Sequence, residues 1–270
     1  MAHLNQTFVA LLKEAQFTKE LLGSGATQIR QANYASKGLY FQSFANLSTG
    51  LERIGKLCLI LDHYIETQGS FPDFKYLKNE IGHNLNLLQE KAEKMALHRG
   101  WPNPFPSSAI HKAIVELLSE FAEGDRYSNF DLLVGANRQA DPIASWYERV
   151  DLPLFESRVT AKKKHAIVGN AKLISSLIGP ISSVLHISET GEEITDVENA
   201  SRNTGVFEAV APHRQLHVLQ IIRAWVKLLG KLQHVAQALG RDDIPFFDEL
   251  FAAFENDDAY MKTRKTWVNI

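Results

Sequence analysis

The residues most suited to chemistry lie in Tyr76-Leu77-Lys78-Asn79-Glu80-Ile81-Gly82-His83-Asn84-Leu85. His83 follows Asn79 by four residues and Lys78 by five, so one helical turn brings the three side chains to adjoining positions. A histidine can move a proton while a neighbouring cation and amide hold a phosphate and its developing charge. That combination suits metal-independent RNA cleavage, in which the ribose 2′-hydroxyl attacks its own phosphodiester. His83 is the expected general acid or base, Lys78 the phosphate ligand and Asn79 the orienting group. The competing reading makes Gly82-His83 a close packing point, with the imidazole bonded to a neighbouring helix.

A second cluster is Asp125-Arg126-Tyr127-Ser128-Asn129-Phe130-Asp131, which places charge, aromatic and amide groups in a polar connection. Arg126, Tyr127 and Asn129 are the expected substrate-binding residues, either as a site wall or, on a weaker reading, lining a pocket between helices. The structural alternative is a loop stapled to the bundle through Arg126 and Asp131. His213 and His217 stand four apart, the spacing of a metal pair, but no third ligand is evident, so no metal is expected. Lys162-Lys163-Lys164-His165 reads as a solvated helix face. Cys58 lies inside an apolar run and reads as a small core residue. No Gly-rich phosphate loop, CxxC, HExxH or GxSxG pattern is present, and no cofactor is expected.

The elements that must position these residues are helical. Apolar residues step by three and four from Leu4 to Leu22, where Gly23-Ser24-Gly25 is expected to end the first helix. A long helical pattern follows from Thr27 to Glu66, with Gly38, Gly50 and Gly55 inside it, which suggests close helix crossings. A turn at Gln68 to Pro72 leads to Asp73, the expected N-cap of a third helix running to His98. Three alternating prolines make 101–106 irregular. Ser107 or Ser108 caps a fourth helix to Glu123, and 124–137 reads as an irregular connection. Asp141-Pro142 starts a short helix, Pro153 interrupts, and a longer helix follows to about Ser175. Residues 186–204 read as a long exposed loop, with a short strand pair around Val184–Ile187 and Glu193–Val197. Pro212 is expected to start the clearest helix, ended by Gly240, and Asp243-Ile244-Pro245 to start the last. The reading is an all-α, antiparallel helical bundle, with 1–100 as one bundle and 107–270 as an additional helical region packed separately or continuously with it.

Gly50-Leu51-Glu52-Arg53-Ile54-Gly55-Lys56-Leu57, followed about twenty residues later by Leu77 to Leu85, resembles the two core helices of HEPN-type domains. The resemblance covers roughly residues 27–97. It implies a dimerising helical bundle and, in many members, metal-independent ribonuclease activity in toxin–antitoxin, antiviral-defence or RNA-processing systems. The family motif is an arginine, a polar residue and a histidine four to six residues after the arginine. Lys78 stands in the arginine's place, Asn79 in the polar place and His83 in the histidine's. Lysine binds phosphate as a point charge, without the guanidinium fork.

Composition sets the bounds. The 270 residues are 45% hydrophobic and 22% charged, enough to bury a sizeable core, and the net charge of -2 excludes a strongly basic nucleic-acid binder. No apolar stretch approaches the roughly 20 residues needed to span a bilayer. With a single cysteine and no signal-peptide block, a cytoplasmic location away from membranes is expected. The expected partner is RNA, acted on by a homodimer. The alternative is a non-catalytic helical module that binds or regulates a protein partner.

Overall fold

A computed structural model describes residues 5–73, 75–76, 83–136 and 140–268. The chain is all-α. In order it forms α1 (Gln6–Gln31), α2 (Gly38–Glu66), α3 (Leu85–His98), α4 (Ala109–Glu123), α5 (Ser128–Leu133), α6 (Pro142–Trp146), α7 (Leu152–Arg158) and α8 (Ala161–Ile178). A two-residue hairpin pair, β1 (His186–Ile187) with β2 (Glu193–Ile194), precedes the long helix α9 (Val197–Gln237), then α10 (Phe247–Phe251) and α11 (Asp258–Thr263). One apolar core runs through α1, α2, α3, α4 and α9 and takes in Trp146, Phe251 and Trp267, so residues from both sides of the Pro-rich 101–106 segment share it.

α1 and α2 are antiparallel and pressed close by glycines. A Cβ on Gly25 would overlap Leu47, and one on Gly50 would overlap Leu22. The expectation that Gly23-Ser24-Gly25 ends the first helix is therefore corrected. Both glycines sit inside α1, where α2 and the C-terminal segment approach: Gly23 faces the Trp267 carbonyl, and the Trp267 N–H donates to Thr27 Oγ1 at 2.8 Å. Here glycine marks contact, not termination. The break falls instead at 32–37, beyond Gln31. The crossing expected at Gly55 is present, against Leu88 of α3, whereas Gly38 faces open space as the first residue of α2.

α3 runs in the same direction as α2. His83 meets Glu52, Leu88 meets Gly55, and Arg99 meets Asp62 and Glu66, so positions rise together along both helices. The start of α3 therefore lies beside the middle of α2, where His83 meets Glu52. α3 has its own start: Asn84 is extended, and its side chain accepts from the Leu87 N–H at 2.8 Å. His83 is consequently a turn residue and not part of a helix continuous with 85–98. Asp73 does accept from the Tyr76 N–H, at 2.9 Å, as its N-cap role requires.

Further along, the expected cap at Ser108 is present. The segment 124–137 is more regular than expected, because a 3₁₀ turn (Asp125–Tyr127) leads directly into α5. Pro153 does not interrupt. It falls in the first turn of α7, where its missing N–H costs nothing, and the break comes at Val159-Thr160. The hairpin is where the strand signal put it. The exposed-loop reading of 186–204 fails at its far end, because Asp196 accepts from the Asn199 N–H at 2.8 Å and starts α9 there. Pro212 lies inside α9, not at its start. Residues 197–209 carry few apolar side chains because nearly all of this first stretch is half-buried or exposed, with Gly205 letting Ile167 of α8 approach closely.

Gly55→Ala is expected to destabilise the protein by about 1–3 kcal/mol, since Leu88 must move for the added methyl. Gly38→Ala, in open space, should be neutral or stabilising by about 0.4–1 kcal/mol. Urea denaturation followed by circular dichroism compares the two, and equal midpoints would remove the close-crossing account.

Candidate functional site

Two places gather chemistry. The first is a groove of about 620 Å³ between α2, the turn before α3, and the end of α4. Its walls include Glu52, Arg53, Lys56, His83, Phe121 and Arg126. Glu52 is the organising residue. Its side chain is 16% exposed, and one oxygen pairs with Lys56 while the other meets His83 Nδ1 at 2.9 Å. Burial pushes the Glu52 carboxyl up, but hydrogen bonds and charge from Lys56 and His83 outweigh it and hold the group below its ordinary value. An ionised Glu52 accepts from Nδ1–H, which leaves Nε2 of a neutral His83 as a base. The imidazole is 73% exposed, so it is not sealed against a neighbouring helix. Arg53 pairs with Glu14 across α1 at 2.6 Å.

The structure thus brings together His83 and Arg126, which lie in separate clusters of the sequence. Arg126 sits over the Tyr127 ring at 5.1 Å. Tyr127 and Asn129 are exposed beside the groove, not among the residues that line it. Lys78 and Asn79 lie outside the described residues. Glu52, Arg53 and Lys56 belong to the Gly50–Leu57 segment, yet the sequence reading gave them no role. The signal available was their i, i+4 acid–base spacing, which many solvated helix faces share.

The second place is a cavity of about 400 Å³ beneath the β-hairpin. Its floor is a buried polar network that sequence reasoning missed. Arg214 of α9 is 1% exposed and Asp151 5%. Arg214 Nη1 donates to Asp151 Oδ2 at 2.7 Å and to the Tyr40 hydroxyl at 2.9 Å, while Nη2 donates to the Ala32 carbonyl. Trp146 Nε1 donates to the other Asp151 oxygen at 3.1 Å. Burial pushes the Asp151 carboxyl up, opposed by the charge and hydrogen bonds of Arg214. Asp151 closes a π-helical turn, Tyr147–Asp151. Such turns are frequent at functional sites. Five residues scattered from position 32 to position 214 make this network, so no local pattern betrays it.

The remaining motifs resolve into structure. His217 packs against His111, ring centroids 4.7 Å apart, and His111 is held by Ser108 and Gln220. Burial lowers His111 to about 4, and burial also lowers His213 to about 4 and His217 in the same direction. Among the described residues no group of three or more His, Cys, Asp or Glu is placed to hold a metal ion. Lys164 pairs with Glu156 at 2.6 Å, and Cys58 is a buried core residue. No helix among the described residues is long and apolar enough to cross a membrane.

Asp151→Ala leaves the Arg214 charge buried without its partner and should cost about 3–5 kcal/mol. A urea-denaturation midpoint near wild type would contradict that assignment. The histidine cluster predicts acid sensitivity. A folded-state pKa below the unfolded value means the folded chain binds fewer protons, so stability is full above pH 6.5 and falls as pH drops toward about 4. His111→Gln should flatten the fall of Tm across that window, and an unchanged slope would assign the acid sensitivity elsewhere.

No protein-family model, curated protein or solved structure matches the chain.

Proposed function

We propose that the chain is an RNA-directed, HEPN-like protein whose groove cleaves RNA without a metal, in the manner of toxin or defence ribonucleases acting as homodimers. The observation that carries this reading is the carboxylate-held His83 in an open groove with Arg53, Lys56 and Arg126. Three cations against the carboxylates of Glu14 and Glu52 leave a local excess of positive charge for a phosphodiester, although the whole chain is slightly acidic. In this reading His83 Nε2 takes the proton of a ribose 2′-hydroxyl. The alkoxide attacks the adjacent phosphorus, the bond to the 5′-oxygen breaks, that oxygen takes a proton from solvent water, and His83 returns its proton to solvent. The products are a 2′,3′-cyclic phosphate and a 5′-hydroxyl. Lys56 and Arg126 stabilise the charge gathering on the phosphoryl oxygens. The resemblance adds Lys78 as a further phosphate ligand, Asn79 as an orienting amide, and a two-fold dimer that brings two copies of the motif together.

A second reading, a helical module that binds a protein partner, draws support from one surface. Leu173, Leu177, Ile181 and Leu185 are each more than half exposed along and just beyond α8. Contiguous apolar surface of this kind marks interaction sites.

The test is cleavage of end-labelled structured and single-stranded RNAs by the purified chain in EDTA. Wild type should yield cyclic-phosphate ends. His83→Ala, folded by circular dichroism, should lose about 10²–10⁴-fold in rate. Glu52→Gln should fall between them. No cleavage by wild type, or cleavage unaffected by His83→Ala, would overturn the ribonuclease reading and leave the interaction module.

A further inference from the structure

The segment from Arg158 to Ile187 carries one sign of charge. Arg158, Lys162, Lys163, Lys164 and Lys172 fall within it, and no Asp or Glu does. Lys164 is spent on Glu156, at 2.6 Å. The other four cations are exposed, and among the described residues none of them forms an ion pair. The next acids along the chain, Glu189, Glu192 and Glu193, line the cavity beneath the hairpin. On a chain of net charge -2, this is a concentrated basic surface, and such a surface gathers anions.

The same segment ends in uncovered apolar side chains. Leu173 is 58% exposed, Leu177 67%, Ile181 86%, Leu185 76% and Ile187 52%. α8 packs on α9 by another side, where Ile167 and Ala171 are its buried residues and Ile167 sits against Gly205. An ideal helix places Lys162 and Leu173 within about 20° of each other and roughly 16 Å apart along the axis, with Leu177 about 40° farther round. One outer side of α8 therefore begins basic and ends apolar. The apolar end continues past the helix, through the 3₁₀ turn Gly179–Ile181, to Leu185.

Charge and shape select the occupant. A second copy of the chain would set these cations against their own kind across a two-fold contact. A protein partner would need grooves shaped for side chains that stand as far out as Ile181 and Leu185. A bilayer needs no groove: apolar side chains enter the boundary of the acyl layer while lysines meet anionic headgroups. No described helix crosses a bilayer, but a helix lying on one needs only a single apolar side. We propose that α8 and the turn after it dock on an anionic lipid surface, with Ile181 and Leu185 in the acyl boundary and Lys162 and Lys163 among the headgroups. The face shares no residue with the His83 groove, so it stands or falls independently of RNA cleavage. It also gives the exposed α8 surface lipid, not protein, as its occupant.

Flotation of the full chain with vesicles on a density gradient tests it. Vesicles made of equal parts phosphatidylcholine and phosphatidylserine should carry the protein upward, and vesicles of phosphatidylcholine alone should not. Combining Ile181→Ser with Leu185→Ser should weaken binding by about tenfold or more, through lost apolar burial. Combining Lys162→Gln with Lys163→Gln should also weaken it by about tenfold, and should reduce its sensitivity to salt. All four side chains are exposed, so the variants should keep the wild-type circular dichroism and Tm. Failure to float with the phosphatidylserine vesicles would overturn the proposal, as would equal flotation with phosphatidylcholine alone or wild-type binding by either paired variant. Light scattering supplies a further check. A wild-type dimer that the Ile181 and Leu185 substitutions convert to monomer would give the face to a second copy and overturn the lipid assignment.

Discussion

The fold turns on a charge buried in its centre. Arg214 cannot leave water unless its guanidinium is paired and hydrogen-bonded, and it meets that requirement with groups from three other places in the chain. The Ala32 carbonyl closes α1, the Tyr40 hydroxyl opens α2, and Asp151 ends the π-helical turn. The guanidinium also lies over the Tyr40 and Phe207 rings, at 5.3 Å from each. The closed end of the α1–α2 pair is thereby latched to the long helix at one angle and one depth. A hydrophobic contact would allow sliding, whereas a forked set of hydrogen bonds does not. Gln215, the next residue, reinforces the latch by donating to the Ala26 carbonyl at 2.9 Å.

With α2 fixed at that end, its remaining length determines what the groove can contain. Glu52 must face α3 because Gly55, three residues on, is the point at which Leu88 crosses. α3 must run alongside α2 in the same direction because Arg99 reaches Asp62 and Glu66 farther along. These two contacts set the start of α3 beside the middle of α2, and there His83 meets Glu52. The acid–base pair is thus a consequence of helix packing and not of a local motif. The same packing brings Arg126, from beyond α4, to the groove wall.

This explains what could be read from the sequence. Helix-forming periodicity, the caps at Ser108 and Asp141, and the hairpin strands are set by neighbours within a few residues, and they stand where the pattern puts them. The misread points are glycine and proline. Gly23, Gly25 and Pro212 favour helix ends in isolation, yet the two glycines lie within α1 where Trp267 and Leu47 press close, and Pro212 lies within α9. His83 was legible as a candidate because histidine near a cation is a recognisable chemical combination. Its partner Glu52 lies 31 positions away, and the Arg214–Asp151 pair spans 63, so neither could be deduced from spacing.

The two sites share α2 but not its face. Tyr40 and Glu52 are twelve residues apart, which an ideal helix converts to about 18 Å along the axis and roughly 120° around it. One end of the helix helps floor a cavity rich in carboxylates, and its middle supports a groove where cations prevail. A net charge of -2 averages these regions and conceals both. Local potential, not overall charge, decides which ligand concentrates where, and the helix separates the two potentials by more than a Debye length at physiological salt, about 8 Å. A phosphate drawn to one site is therefore screened from the acids of the other, and the fold can keep two incompatible electrostatic environments on a single rigid element.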